Sequence, residues 1–351
     1  MTFDAFKNKG LSGLANLGNT CFINSCLQIL SHTYELNLFL DIETYRKKLN
    51  NNYDSALLIE WDNLRNILWK ENCIVAPHKF INTIQKLAKV KKNELFSGYS
   101  QNDLSEFFVF VIDCFHNALK REVEITINGQ PTNETDEIAL LCFQMIKKMY
   151  SKEFSEIWSL FNGIQVCQIL SLQDEKEEKE KVLSNHTEPF FMINLSIPIH
   201  NKTPSIYDCF DLYVEGEKME GENAWFNEKT GQKEDVQRKI SFWSFPSVLA
   251  IDFKRFVDIH RKNQILIDFP LDDLDLSKYV IGYKKKSYVY ECYGICNHMG
   301  GILGGHYTCF VKNANGKWYH YNDTNVQEVK HLENLITPRA YCLFYRKKVM
   351  Q

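Results

Sequence analysis

Apolar positions along this chain change their period near its middle. Up to about residue 150 they recur at helical spacing. The stretch from Phe22 to about His32 predicts one helix. Ala56–Trp69, with Leu57, Leu58, Trp61, Leu64, Ile67 and Leu68 on one side, predicts another. Pro77 suits the first turn of a helix running to about Val90. Ser100 and Asp103 have capping-box spacing ahead of a helix to about Leu119. In that helix Leu104, Phe107, Phe108, Val111, Ile112, Phe115 and Leu119 form a broad apolar stripe. A further helix is expected around Glu137–Tyr150.

Beyond about Ser155 the runs are short and β-type: Ile164–Leu170, Phe190–Ile199, Val248–Phe256, Tyr288–Asn297, Tyr307–Lys312 and Arg339–Tyr345. One helix, at about Ser205–Val214, interrupts them. Helices first and strands later predict an α+β fold whose two halves pack on each other. No internal repeat and no Pro- or Ser-rich linker divides the chain, so one unit with subdomains is expected. The charged run Asp174–Lys181 reads as a solvated loop or hairpin tip between two strands.

Composition narrows the function. The chain has 351 residues, 44% of them hydrophobic, enough for a large core. A net charge of −3 leaves no electrostatic footprint for nucleic acid. The longest apolar runs, such as Phe107–Ile112, are too short to span a bilayer, and the first residues lack an apolar signal core. An intracellular protein of the cytoplasm or nucleus, without nucleic-acid or membrane partners, is therefore expected. The 11 cysteines are odd in number and lack framework spacing, which reads as reduced, mostly buried thiols.

Cys21 stands apart because of its neighbours. It follows a Gly/Asn-rich turn, Gly18–Asn19, and heads a predicted helix whose N–H groups and dipole would favour an anionic sulfur. Asn16, just upstream, is either an amide donor for a reacting carbonyl oxygen or an ordinary turn residue. Far downstream, His306 lies among Gly300, Gly301, Gly304 and Gly305, and imidazole is well matched to taking a proton from a thiol. Trp318–Asp323 reads as a strand end, where either Asn322 or Asp323 could orient the imidazole; alternation puts the two on opposite faces. Cys292, Cys296 and His298 share one strand face, a pattern that fits core packing better than a metal site.

These segments resemble the ubiquitin-specific proteases, the papain-like deubiquitinases. GLANLGNTCFINSCLQ resembles that family's cysteine box, and GYSQNDLSEFFVFVIDCFH its second box. FPSVLAIDFKRF resembles its Lys-Arg-Phe strand. YGICNHMGGILGGHYTCFVKN and GKWYHYND resemble its histidine box. The match runs in order from about Gly10 to Tyr345. The resemblance implies a helical thumb at about 10–150, fingers within about 160–245, a β-sheet palm in the rest of a catalytic domain at 10–347, and an extension at 1–9. It implies Cys21 as nucleophile, His306 as base, Asn322 or Asp323 as its partner, and Asn16 as oxyanion donor. Asp103, His298, Gly304, Gly305 and Tyr307 would line the channel for the tail of ubiquitin. The partners implied are ubiquitin and ubiquitinated proteins, met by a monomer that needs no cofactor. Many members hold zinc between two CxxC pairs in the fingers. Here the first position has only Cys167, and Ala224–Asp235 has no cysteine, so fingers without metal are expected. A protease for another ubiquitin-like modifier, a non-catalytic ubiquitin binder and a transglutaminase-like acyl transferase are the rival readings.

Overall fold

The computed structural model describes residues 3–172, 181–199, 203–258, 261–301 and 304–348; most of the charged run, residues 174–180, lies outside them. The helical half contains α1 (Cys21–Ser31), α2 (Tyr34–Asp41), α3 (Tyr53–Lys70), α4 (His78–Val90), α5 (Leu104–Leu119), α6 (Glu134–Glu153) and α7 (Glu156–Phe161). A short parallel pair, β1 (Gly13–Leu14) with β2 (Ile74–Val75), ties its start to its middle. The strand half contains β3 (Gly163–Ser171), β4 (Val182–Phe190), β5 (Met192–Leu195), helix α8 (Ile206–Val214), β6 (Glu217–Met219), β7 (Trp225–Asn227), β8 (Gln232–Glu234), β9 (Val236–Ser244) and β10 (Val248–Phe253). It continues through β11 (Leu274–Asp275), β12 (Val289–Gly301), β13 (Gly304–Lys312), β14 (Trp318–Asn322), β15 (Asn325–Val329) and β16 (Ala340–Lys347). The α+β layout is as expected.

Two sheets organise the strands. The larger runs β15-β14-β13-β12-β16-β10-β5, with β11 against β12, and is antiparallel except where β10 meets β5. Its central strands, β10, β12 and β16, are buried on both faces. Val248 and Ala250 of β10 join the core shared with the helices, whereas Leu249 and Ile251 face a second core with α8. That is why β10 reads as a continuous apolar run rather than an alternating one. The smaller sheet, β4-β3-β9-β6, is antiparallel. The expected hairpin extension is thus a four-stranded sheet, because β9 and β6 extend the β3–β4 pair.

Helix α5 is the spine of the helical half. Phe107, Phe108, Val111, Phe115 and Leu119 are fully buried, each contributing about 2 kcal/mol by burial. Its cap differs from the expected box. Asp103 itself is the N-cap, its Oδ1 accepting from the N–H groups of Ser105 (2.8 Å) and Glu106 (3.1 Å). Pro77 likewise precedes its helix as N-cap. The predicted run Phe190–Ile199 is broken at Phe191 into the end of β4 and β5. The first residues pack on the body: Phe6 stacks on Tyr34 with centroids 4.7 Å apart, and Asn8 accepts a bond from Asn315. Among the described residues no helix is long and apolar enough to cross a membrane.

Candidate active site

The site lies where α1 packs against β13. The segment leading into α1 is docked on the turn after β14. The Leu14 N–H donates to the Asp323 carbonyl at 2.9 Å. Gly13 permits the approach, since a Cβ there would stand 2.3 Å from the Thr324 carbonyl oxygen. Gly18 and Asn19 take left-handed φ of 104° and 53°, as their residue types suggested. The turn they form delivers Cys21 as the first residue of α1.

Cys21 is 3% exposed. Burial pushes its thiol above the ordinary value, and the Asp323 carboxylate adds to the rise. The backbone N–H of Tyr307, next in chain to His306, and those of Phe22 and Cys21 act in the opposite direction. The expected donors at the helix start are present, yet desolvation outweighs them, so the resting sulfur at neutral pH is a thiol.

His306 Nε2 lies 2.7 Å from Asn322 Oδ1. An amide oxygen only accepts, so Nε2 carries the proton and Nδ1 keeps the lone pair. Asp323 does something else. It adopts a left-handed φ of 50° in the turn between β14 and β15. Its Oδ2 accepts from Asn16 Nδ2 at 3.0 Å, and its Oδ1 from Asn24 Nδ2 at 2.7 Å. Asn16 meanwhile accepts from the N–H groups of Gly18 (3.0 Å) and Thr20 (3.2 Å). The oxygen of Asn16 thus organises the turn, and one of its two amide hydrogens is committed to Asp323.

Beside this group is an open cleft of about 550 Å³, lined in part by Gln101, Asp103, Glu106, Asp252, His298, Gly301, Tyr307 and Tyr341. Asp103 Oδ2 accepts from the hydroxyls of Tyr341 (2.5 Å) and Tyr307 (3.3 Å), joining the cap of α5 to the sheet. Asp252 is buried, and its Oδ1 has no hydrogen-bond partner among the described residues. Burial, then the Asp103 carboxylate, pushes the Asp252 carboxyl well above its usual range and Glu106 up as well. The two predicted glycines differ. A Cβ on Gly305 would meet His298 Nε2 at 2.2 Å and the Met299 carbonyl oxygen at 2.5 Å. A Cβ on Gly304 would meet no described atom within 4 Å.

Three residues beyond the predicted set complete the arrangement. Gln101 pairs with Gly305 as a second backbone would, donating to its carbonyl and accepting from its N–H at 3.0 Å. Its position in the quoted second box was the available signal. Asn24, one helical turn after Cys21, is a buried amide in an apolar helix, a pattern that demands a partner. Lys262 approaches His298 from the segment after β10 and carries no sequence signal. Among the described residues no group of three or more His, Cys, Asp or Glu side chains could hold a metal. Cys167 instead accepts from Arg238 Nε at 3.2 Å, a cationic neighbour that does not fit a zinc–thiolate site.

A buried helix-borne thiol, facing a strand whose histidine is bound to an amide, on an α+β scaffold, defines the papain-like cysteine hydrolase layout. A family model described as Ubiquitin carboxyl-terminal hydrolase matches residues 12–345, and the chain belongs to that family. It is 32% identical over 352 residues to human ubiquitin carboxyl-terminal hydrolase 2, covering 96% of this chain and 55% of the relative. It is 26% identical over 429 residues to a probable ubiquitin carboxyl-terminal hydrolase of Acanthamoeba polyphaga mimivirus, covering 96% of this chain and 90% of that one. The chain spans about half the length of the vertebrate type 2 relatives it matches. Among solved structures it resembles the SAGA Ubp8/Sgf11/Sus1/Sgf73 DUB module bound to ubiquitin aldehyde. The TM-score is 0.72 and the identity 22%, with 99% of this chain and 71% of that chain covered.

Proposed function

We propose that this chain is a cysteine-dependent deubiquitinase, hydrolysing isopeptide or peptide bonds after the C-terminal glycine of ubiquitin. The observation that carries the reading is the convergence of three segments. Cys21 heads α1, the His306–Asn322 pair sits at 2.7 Å on the sheet, and the cleft opens beside them. In this reading Cys21 Sγ attacks the glycine carbonyl and its proton passes to His306 Nδ1. Asn16 and backbone N–H groups at the start of α1 stabilise the oxyanion. His306 then protonates the leaving lysine amine and activates the water that releases the acyl-enzyme. Asp103 and Glu106 bring acidic side chains to the cleft and Lys254 a basic one, polar partners for an extended peptide tail. The helical half serves as thumb, the larger sheet as palm and the smaller sheet as fingers gripping the body of ubiquitin. A monomer acting inside the cell on ubiquitinated proteins, without cofactor, completes the reading.

The decisive experiment is a panel of tail-activated probes of ubiquitin and ubiquitin-like modifiers, followed by all diubiquitin linkages. Labelling by the ubiquitin probe, with at least about tenfold preference over the others, is expected. Preference for another modifier would reassign the substrate while leaving the chemistry intact.

The glycines give a second expected result. Gly305→Ala forces a Cβ against the His298 ring and the Met299 backbone. It should lower thermal stability by about 1–3 kcal/mol, together with activity. Gly304→Ala enters space free of described atoms. It should keep the melting temperature yet slow ubiquitin hydrolysis by about tenfold or more, because a side chain there obstructs a Gly-Gly tail. Equal behaviour of the two variants in a melt and a hydrolysis assay would remove the tail from this channel.

A further inference from the structure

Lys262 makes two hydrogen bonds to one residue. Its Nζ lies 2.8 Å from His298 Nδ1 and 2.7 Å from the His298 carbonyl oxygen. The segment that carries it is fixed. Phe256 and Lys262 pair across an antiparallel bridge. Buried Arg255 donates through Nη1 to the carbonyls of Asn263 (3.1 Å) and Ile265 (2.9 Å) and through Nε to that of Ala340 (2.6 Å). The ammonium also lies 5.6 Å from the Phe256 ring centroid. Lys262 is thus held on His298 by the fold, not by chance contact of a long surface chain.

The consequence is chemical. An ammonium has three donors and no acceptor, so His298 Nδ1 accepts and the ring proton resides on Nε2. Charge agrees. Burial, then Lys262, lowers His298 to about 4, and burial, then Arg255, lowers Lys262 to about 8, so a neutral imidazole faces a cation at pH 7. The His298 ring packs on Tyr307 with centroids 4.5 Å apart and lines the cleft. Nε2 lies 2.2 Å from where a Cβ on Gly305 would stand, so only a glycine there lets this edge of the 3% exposed ring sit against the cleft wall.

We propose that Lys262 is a positioning residue. By occupying Nδ1 of His298, it makes Nε2–H the edge presented to the cleft, where it donates to a backbone carbonyl of the peptide tail beside Gly305. The proposal deepens the deubiquitinase reading and rests on it for the identity of the peptide. Its core, the tautomer, is independent of any substrate.

The test uses the full chain with 15N-labelled histidine, and Lys262→Met and Lys262→Arg beside the wild type. Long-range 1H–15N spectra, with His298 assigned by His298→Gln, are expected to show a single Nε2–H form in the wild type and in Lys262→Arg. In Lys262→Met the two tautomers should exchange. With a ubiquitin C-terminal fluorogenic substrate, Lys262→Met should raise KM about fivefold, the worth of one hydrogen bond. Its kcat should change less than about twofold, since the contact lies away from the reacting carbonyl. Lys262→Arg should restore KM. A wild-type proton on Nδ1, an unchanged tautomer in Lys262→Met, or a fall in kcat at constant KM would each overturn the proposal. If no ubiquitin substrate is turned over, the deubiquitinase reading falls, while the spectra still decide the role of Lys262.

Discussion

Cys21→Ala is expected to lower ubiquitin hydrolysis by at least about ten-thousand-fold, the scale on which removal of a nucleophile acts, and to leave ubiquitin affinity within about twofold. The two halves of this expectation have separate physical grounds. In the proposed reaction the sulfur is the atom that forms the covalent intermediate, so its removal takes the nucleophile away from that step. It is also 3% exposed, so truncation to a methyl group removes almost no surface that a ubiquitin body could touch. Stability should fall only modestly, because the change deletes one buried sulfur and leaves the backbone N–H groups that face it without that acceptor. Steady-state hydrolysis of a fluorogenic ubiquitin amide, with calorimetric binding of ubiquitin to the variant, checks both halves. Residual turnover within a hundredfold of wild type would remove Cys21 from the mechanism. Loss of affinity together with activity would mean that the cysteine shapes the binding surface instead.

Much of this site could be read from the chain, and the unread parts have identifiable causes. Cys21 and His306 were legible because each stands among residues that constrain backbone: Gly18 and Asn19 for one, the four glycines for the other. The α5 stripe predicted its burial because a helix repeats its core positions regularly. The roles of Asn322 and Asp323 were not separable by alternation. The left-handed turn at Asp323 ends the strand period and sends its carboxylate toward α1 instead of toward His306. Gln101 and Lys262 each bond twice to one residue remote in sequence, a pairing that no local period encodes. Gly304 and Gly305 look alike in the chain. The positions of the His298 ring and the Met299 carbonyl distinguish a glycine required by packing from one that leaves space. The state of Cys21 likewise depended on burial, a tertiary quantity, rather than on the helix start that the sequence shows.

Asp323→Ala is expected to cost about a hundredfold in kcat/KM, on the scale of losing an oxyanion donor, and at the same time to make Cys21 easier to ionise. The opposition follows from the two things the carboxylate does. It holds Asn16 at 3.0 Å and Asn24 at 2.7 Å, which fixes the turn before Cys21 relative to the sheet. It also places negative charge near the sulfur and helps to keep the thiol protonated. Without it, Asn16 loses its anchor and the oxyanion geometry loosens, while the thiolate forms at lower pH. Alkylation of Cys21 by iodoacetamide, followed against pH, should therefore shift its midpoint downward in Asp323→Ala as hydrolysis falls. Asn322→Ala should behave differently. It removes the 2.7 Å contact that orients His306, lowering kcat, but takes away no charge, so the alkylation midpoint should stay close to that of the wild type. Asp323→Asn separates the two functions further. Its amide oxygen can still accept from Asn24, but the charge is gone, so hydrolysis should recover in part while the midpoint stays shifted. Hydrolysis by Asp323→Ala within threefold of wild type would show that Asn16 needs no anchor. An unshifted midpoint would show that the carboxylate and the sulfur are electrostatically independent, and that the residue serves the site through geometry alone.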